Sequence, residues 1–424
     1  MNKVVHFKPW YSNFSYKLPE LVAGLAVFAT AAGGGSVSSV ASASLAIFFI
    51  LSLFYIRKWP ELWRSLTPGE QLLLVGLALY AFSGLISYYN VGDVREYVKH
   101  AGRYVRFLLI VPVYLLLTNS NLRLFRYLLA GAIVAGPLCL SLAFIYISNN
   151  PGMPAKWYYH HITFGDAAML NAVFLSVVLL TLKTSSIMKA AMAFSIACAL
   201  YASILSQARG AWVALPFCGA LLLYLTVKHN KLKIKIILPV LFLSVVVIAV
   251  SPVGNIMESR IKEAVQEVDS FVSGERFDSS VGGRLAMWDI AIDVWQEHPI
   301  IGTGLGDFDQ EIESRQAQGI YENIEVHDST HNIYFQALAT TGTVGFLVLC
   351  FALVIQPFRV FYQASSEKLT PASLGGLMLI VAYAVFGLTE SWILRSPVVA
   401  IYLIYLVTLS TEMSKNPELE GSAS

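Results

Sequence analysis

His331 is the titratable residue of this chain best placed to move a proton. It stands where a long polar stretch re-enters an apolar block, in His331-Asn332-Ile333-Tyr334-Phe335-Gln336-Ala337-Leu338-Ala339-Thr340-Thr341-Gly342-Thr343-Val344-Gly345. An imidazole with an unperturbed pKa of about 6.5 exchanges its proton near neutral pH. The glycines of that segment, Gly342 and Gly345, would give the following helix a smooth face for close packing. The plain alternative is a helix cap followed by a packing face.

Arginines at other block boundaries favour chemistry. Arg209, in Ser206-Gln207-Ala208-Arg209-Gly210-Ala211-Trp212, sits in a tight connection between two apolar blocks. Its planar fork suits bidentate phosphate binding, and the alternative is snorkelling at the membrane interface. Arg284, in Gly282-Gly283-Arg284-Leu285-Ala286-Met287-Trp288, opens a second amphipathic helix, where N–H groups and a guanidinium make an anion cradle. A structural ion pair would explain it equally. Arg95, Lys99, Arg103 and Arg106 share one helical face. Glu390 and Arg395 occupy a short turn and either pair together or join the site. His160, His161, Asn332 and Tyr334 are expected to line the same cavity as Glu390 and Arg395.

These residues are positioned by an all-α polytopic membrane protein. Apolar residues make up 56% of the 424 and charged residues 13%, with a mean hydropathy of +0.62; soluble domains carry about twice that charge. Twelve apolar blocks are readable, at 18–34, 36–56, 71–89, 105–119, 127–148, 163–182, 190–207, 211–227, 236–252, 333–357, 371–389 and 397–411. Each approaches the ~20 residues that cross a bilayer. The first block lacks a small-residue cleavage site and reads as a retained span. The four cysteines lie inside apolar blocks and read as small buried hydrophobes.

With both termini inside, the inner segments hold 17 of the 29 basic residues, Lys228 to Lys235 being the clearest anchor. The organisation is then spans one to nine over 1–252, an outer loop domain over 253–332, and spans ten to twelve with a tail over 333–424. Arg95 to Arg106 lie outside and break the positive-inside trend, for which an anionic ligand is one reason. The loop carries 16 acidic residues against five basic ones. Two amphipathic stripes run through it, Ile261/Val265/Val268/Val272 and Leu285/Trp288/Ile292/Trp295. The second fits either a helix lying in the membrane interface or one packed on a small loop core.

Two tempting motifs are rejected. Gly302-Thr303-Gly304-Leu305-Gly306 has no preceding strand and no Rossmann unit around it. The acid pairs Asp307/Asp309 and Glu311/Glu313 have no His or Cys at ligand spacing and read as a solvated face. No metal, cofactor or nucleic-acid partner is expected. Cationic groups, one histidine and a loop on one side of a membrane point to an anionic lipid substrate, such as a polyprenyl pyrophosphate, with arginines stabilising the leaving group and His331 serving the attacking hydroxyl.

His331-Asn332, nine residues, then Gly342-Thr343-Val344-Gly345 resembles the periplasmic signature of the bacterial O-antigen ligases. Arg209 and Arg284, in their local contexts, are similar to arginines of the wider O-antigen ligase/polymerase superfamily. The resemblance implies a GT-C-like, inverting, metal-independent glycosyltransferase of the bacterial inner membrane, with its active site at the periplasmic face. It would move O-antigen polysaccharide from undecaprenyl pyrophosphate to lipid A-core in lipopolysaccharide biosynthesis. By the same resemblance His331 would assist the acceptor hydroxyl, and Arg209 and Arg284 would bind pyrophosphate. The cationic face of residues 95–106 adds Arg103 and Arg106 as further donor-binding candidates. An O-antigen polymerase or a protein O-oligosaccharyltransferase shares the motif. A transporter or flippase fits the span number, but no internal repeat is found and the polar residues gather at one face instead of the midplane.

Overall fold

A computed structural model describes residues 17–33, 40–90, 94–118, 122–157, 160–229, 262, 265–270, 273, 280–321 and 324–413. These residues form helices α1 (Lys17–Gly33), α2 (Val40–Leu53), α3 (Trp59–Ser65), α4 (Pro68–Ile86), α5 (Val94–Thr118), α6 (Leu124–Asn149), α7 (His161–Thr181), α8 (Ser186–Leu205) and α9 (Arg209–Lys228). They are followed by α10 (Ser280–Glu297), α11 (Phe308–Gln316), α12 (Ile333–Leu349), α13 (Gln356–Glu367), α14 (Pro371–Phe386) and α15 (Ser396–Met413). No strand occurs among the described residues. A helix satisfies its own main-chain groups, which a bilayer interior requires.

Eight described stretches are long and apolar enough to span a membrane: six centred on α4 to α9, the rod Ile333–Glu367, and α15. The remaining four expected blocks differ. The first and eleventh correspond to shorter apolar helices, Leu21–Gly33 and Pro371–Phe386. The second is a bent pair, in which α2 meets Ile56–Ser65 at 70° and the two pass as a span only together. The ninth, 236–252, lies outside the described residues.

Helices α7 and α15 form the middle of the bundle, with 83% and 78% of their apolar windows buried, against 33% for α8 and α9 at the periphery. Around them α1 packs on α6, α6 on α8, α4 on α5, α9 on α14, and α5 on α15. Small residues allow the closest crossings. A Cβ at Gly131 would lie 2.4 Å from the Phe28 carbonyl of α1, and one at Gly136 would lie 2.1 Å from the Ser195 carbonyl of α8.

The segment between α9 and α12 packs, where described, on itself and on the bundle. Ala286, Met287, Ile290, Ala291 and Val294 of α10 are buried against Phe308, Ile312, Ile324 and Ala339. The buried stripe is therefore rotated from the expected Leu285/Trp288/Ile292/Trp295 one, because the alanines let backbones approach. The tryptophans flank the contact and donate hydrogen bonds, Trp288 Nε1 to the Thr330 carbonyl at 2.9 Å and Trp295 Nε1 to Thr343 Oγ1 at 2.9 Å. Of the other stripe, Ile261 and Val272 lie outside the described residues; Val265 and Val268 are exposed.

Candidate active site

His331 is held by the start of α12. Asn332 caps that helix, its Oδ1 accepting from the Tyr334 and Phe335 amides at 2.9 and 3.3 Å. Such a cap satisfies donors that a helix start otherwise leaves open. The same segment is sewn to the turn between α14 and α15. Ile333 N donates to the Gly387 carbonyl at 2.8 Å, Asn332 N to Ser391 Oγ at 3.1 Å, and Asn332 Nδ2 to the Leu388 carbonyl at 3.2 Å. Tyr334 Oη donates to the Ala384 carbonyl at 2.9 Å. Asn332 and Tyr334, expected to line the cavity, instead spend these polar atoms holding the frame.

That sewing brings His331 to Glu390. His331 adopts a left-handed backbone, φ 52°, uncommon for a residue with a Cβ and a frequent mark of functional sites. Its Nδ1 lies 3.2 Å from Glu390 Oε2, and Arg395 Nε donates to Glu390 Oε1 at 3.4 Å. Glu390 and Arg395 do pair, but the pair is one half of a chain that runs through to His331. Glu390 is 3% exposed. Burial alone would raise its pKa. The hydrogen bond from His331 and the charges of Arg395, His331 and His160 outweigh burial and hold it down to about 2. A carboxylate can only accept, so Glu390 fixes Nδ1 as the donor and leaves Nε2 of the neutral ring as a base.

Arg284 lies within electrostatic reach of the same carboxylate and of Arg209. The charges acting most strongly on Arg284, at the start of α10, are Glu390, Arg209, Glu267 and Asp166. Burial lowers the Arg284 pKa, and the three carboxylates oppose the change. Arg103 is bonded through Nη1 to His100 Nδ1 at 3.1 Å, and Asp328, Arg395 and Arg106 act on it electrostatically. Arg106 lies one turn further into the bundle, its Nη1 buried without a hydrogen-bond partner.

The two adjacent histidines divide. His160 stands at the rim and feels Glu390, His331 and Arg395; loss of hydration first, then the His161 charge, pulls its pKa down to about 4. His161 turns to the Ser206 carbonyl, 2.8 Å from Nδ1, and so braces the connection that carries Arg209.

Gly342 and Gly345 do not form a helix-packing face. Gly342 interrupts α12 with φ 63° and ψ −167°, and the strap Pro299–Gly304 fills the break. Thr343 N and Val344 N donate to the Pro299 and Ile300 carbonyls at 2.8 and 3.2 Å. In return Thr303 N and Gly304 N donate to the Ala339 and Thr340 carbonyls at 3.0 and 3.1 Å. A Cβ on Gly342 would lie 2.4 Å from the Ile300 carbonyl group. The neighbour of Gly345 is its own helix, at Thr341. The glycine run rejected as a dinucleotide motif is this strap, and its positive φ values at Gly302, Gly304 and Gly306 make the turns.

Asp166 and Asn171 are site-end residues that the sequence reading passed over. Both are at least nine-tenths buried on α7, and they line a cavity that Glu390 and Trp392 also line. Asp166 in an otherwise apolar block was the available signal, since an ionisable group at membrane depth is costly.

Residues 194–350 match the family model of the O-antigen ligase. Over that segment the chain is similar to the O-antigen ligases. An uncharacterized protein of Haemophilus influenzae is 25% identical over 342 residues, covering 78% of this chain and 83% of the relative. The match supports a place in the O-antigen ligase/polymerase superfamily of multi-pass membrane proteins, whose members are glycosyltransferase-like enzymes acting on lipid-linked glycans. The ligase-matched segment runs from α8 to the end of α12 and contains Arg209, Arg284, His331 and Gly342. Arg103, Arg106, Glu390 and Arg395 lie outside it.

Proposed function

We propose that this protein is an O-antigen ligase, an inverting, metal-independent glycosyltransferase. It moves O-antigen polysaccharide from undecaprenyl pyrophosphate to lipid A-core at the periplasmic face of the bacterial inner membrane. The observation that carries the reading is the Arg395–Glu390–His331 chain, with Arg284 within electrostatic reach of both Glu390 and Arg209. In this mechanism Glu390 orients His331, whose Nε2 takes the proton of the acceptor hydroxyl as its oxygen attacks the anomeric carbon. The bond to the pyrophosphate oxygen breaks, and Arg284 and Arg209 stabilise the charge that develops there. Attack from the face opposite the leaving group inverts the anomeric centre.

The test supplies purified protein with undecaprenyl-pyrophosphate glycan and lipid A-core. Core-linked product is expected, and His331→Ala is expected to abolish it while the protein still purifies folded. Longer glycan left on the polyprenyl carrier would assign a polymerase instead. Full transfer by His331→Ala would refute the role given to that residue.

A further inference from the structure

The arginines at this end of the bundle fall into two groups on different elements. Arg209 and Arg284 come from the starts of α9 and α10, and the charges acting on Arg284 are Arg209 and the carboxylates Glu390, Glu267 and Asp166. Arg103 and Arg106 come from α5, which packs on α15 and on the Trp392–Leu394 turn just before Arg395. The charges acting most strongly on Arg103 are Asp328, Arg395, Arg106 and Glu96. Glu390 stands between the groups, one oxygen toward His331 and the other toward Arg395.

The α5 group has the chemistry of an anion site. Arg106 Nη1 is out of contact with solvent and has no hydrogen-bond partner, a condition that proteins rarely tolerate for a guanidinium. Arg103 is braced from behind by the His100 ring, and His100 is 1% exposed; a braced fork is prepared for a planar or tetrahedral oxyanion. The group also lies outside the matched ligase domain, which contains both arginines of the other group.

We propose that His331 works between two separate anion subsites, and that Arg103 and Arg106, with Arg395, bind a phosphate or carboxylate carried by the saccharide acceptor. The inference rests on the reading of Arg209 and Arg284 as the pyrophosphate site. An anion on the acceptor, held by α5, would set which of its hydroxyls reaches Nε2 of His331. Arg103 and Arg106 thereby become specificity-determining residues for the acceptor instead of additional donor ligands.

Binding to the full-length protein in detergent tests this without turnover. The protein is saturated with inorganic pyrophosphate and titrated with glucose 6-phosphate, glucuronate and glucose. One of the two anionic sugars is expected to bind alongside pyrophosphate and glucose is not; which one binds distinguishes phosphate from carboxylate. Arg103→Gln and Arg106→Gln should weaken that binding about tenfold or more and leave pyrophosphate binding within twofold, while Arg284→Gln should do the reverse. The unchanged ligand in each variant also reports that the protein is folded. Displacement of the sugar by pyrophosphate, no sugar binding in the unaltered protein, or equal loss of both ligands in the α5 variants would overturn the proposal. A protein that passes this test but transfers no glycan to lipid A-core would refute the ligase reading and leave the two anion subsites standing.

Discussion

Replacing Glu390 by Gln removes one charge from the centre of the site at nearly constant volume. Glu390 is 3% exposed and its pKa is held from 4.5 down to about 2, a difference equivalent to about 3 kcal/mol in favour of its charged form. That figure bounds what the carboxylate can contribute to an imidazolium forming on His331, since Arg395 shares it through the other oxygen. Expressed wholly in the transition state, about 3 kcal/mol corresponds to about 10²-fold in rate. Glu390→Gln is therefore expected to lower kcat about 10²-fold, with KM for the polyprenyl-pyrophosphate donor within about twofold. The assay is steady-state glycan transfer by purified protein, with each substrate varied in turn. A kcat within threefold of the unaltered protein would refute the orienting role. A rise in donor KM with kcat preserved would show that Glu390 acts through Arg284, whose charge it also feels.

Two further outcomes follow from the same frame. Folded Glu390 titrates near 2, below its ordinary 4.5; the stability it confers is complete above pH 4.5 and is lost as pH falls through about 2. Acid unfolding of the purified protein should lose about 3 kcal/mol across that window, and Glu390→Gln should lack that component. Gly342→Ala places a Cβ against the Ile300 carbonyl group at a positive φ and should destabilise the protein by about 2–4 kcal/mol. A thermal unfolding midpoint unchanged by Gly342→Ala would refute the account of the strap.

Some of this arrangement was written in residue types and some was not. Long apolar blocks declare helices because a bilayer leaves the main chain few alternatives, and α4 to α9 follow directly. Shorter elements were harder: α2 and Pro371–Phe386 are apolar but bent or brief, and apolarity reports neither length in space nor angle. Arg209, Arg284 and His331 were visible as polar residues at block boundaries. The approach of His331 and Arg284 to Glu390 was not, because the place of Glu390 depends on Asn332 and Ile333 bonding to Leu388, Ser391 and Gly387, contacts between segments more than fifty residues apart. Asn332 and Tyr334 show the reverse problem, since a polar side chain near a site can serve only the backbone. Gly342 and Gly345 were read as a smooth surface; the positive φ that makes Gly342 a break leaves no trace in spacing.

The strap carries a consequence for how the protein is made. The break at Gly342 leaves the amides of Thr343 and Val344 and the carbonyls of Ala339 and Thr340, which an unbroken helix would pair with one another, in need of other partners in a bilayer. All four come from Pro299, Ile300, Thr303 and Gly304, residues of the segment between α10 and α11. α12 thus reaches its final, broken form only once that segment has packed onto it. Before then a continuous helix satisfies the same four groups, so docking of the strap exchanges one set of main-chain hydrogen bonds for another.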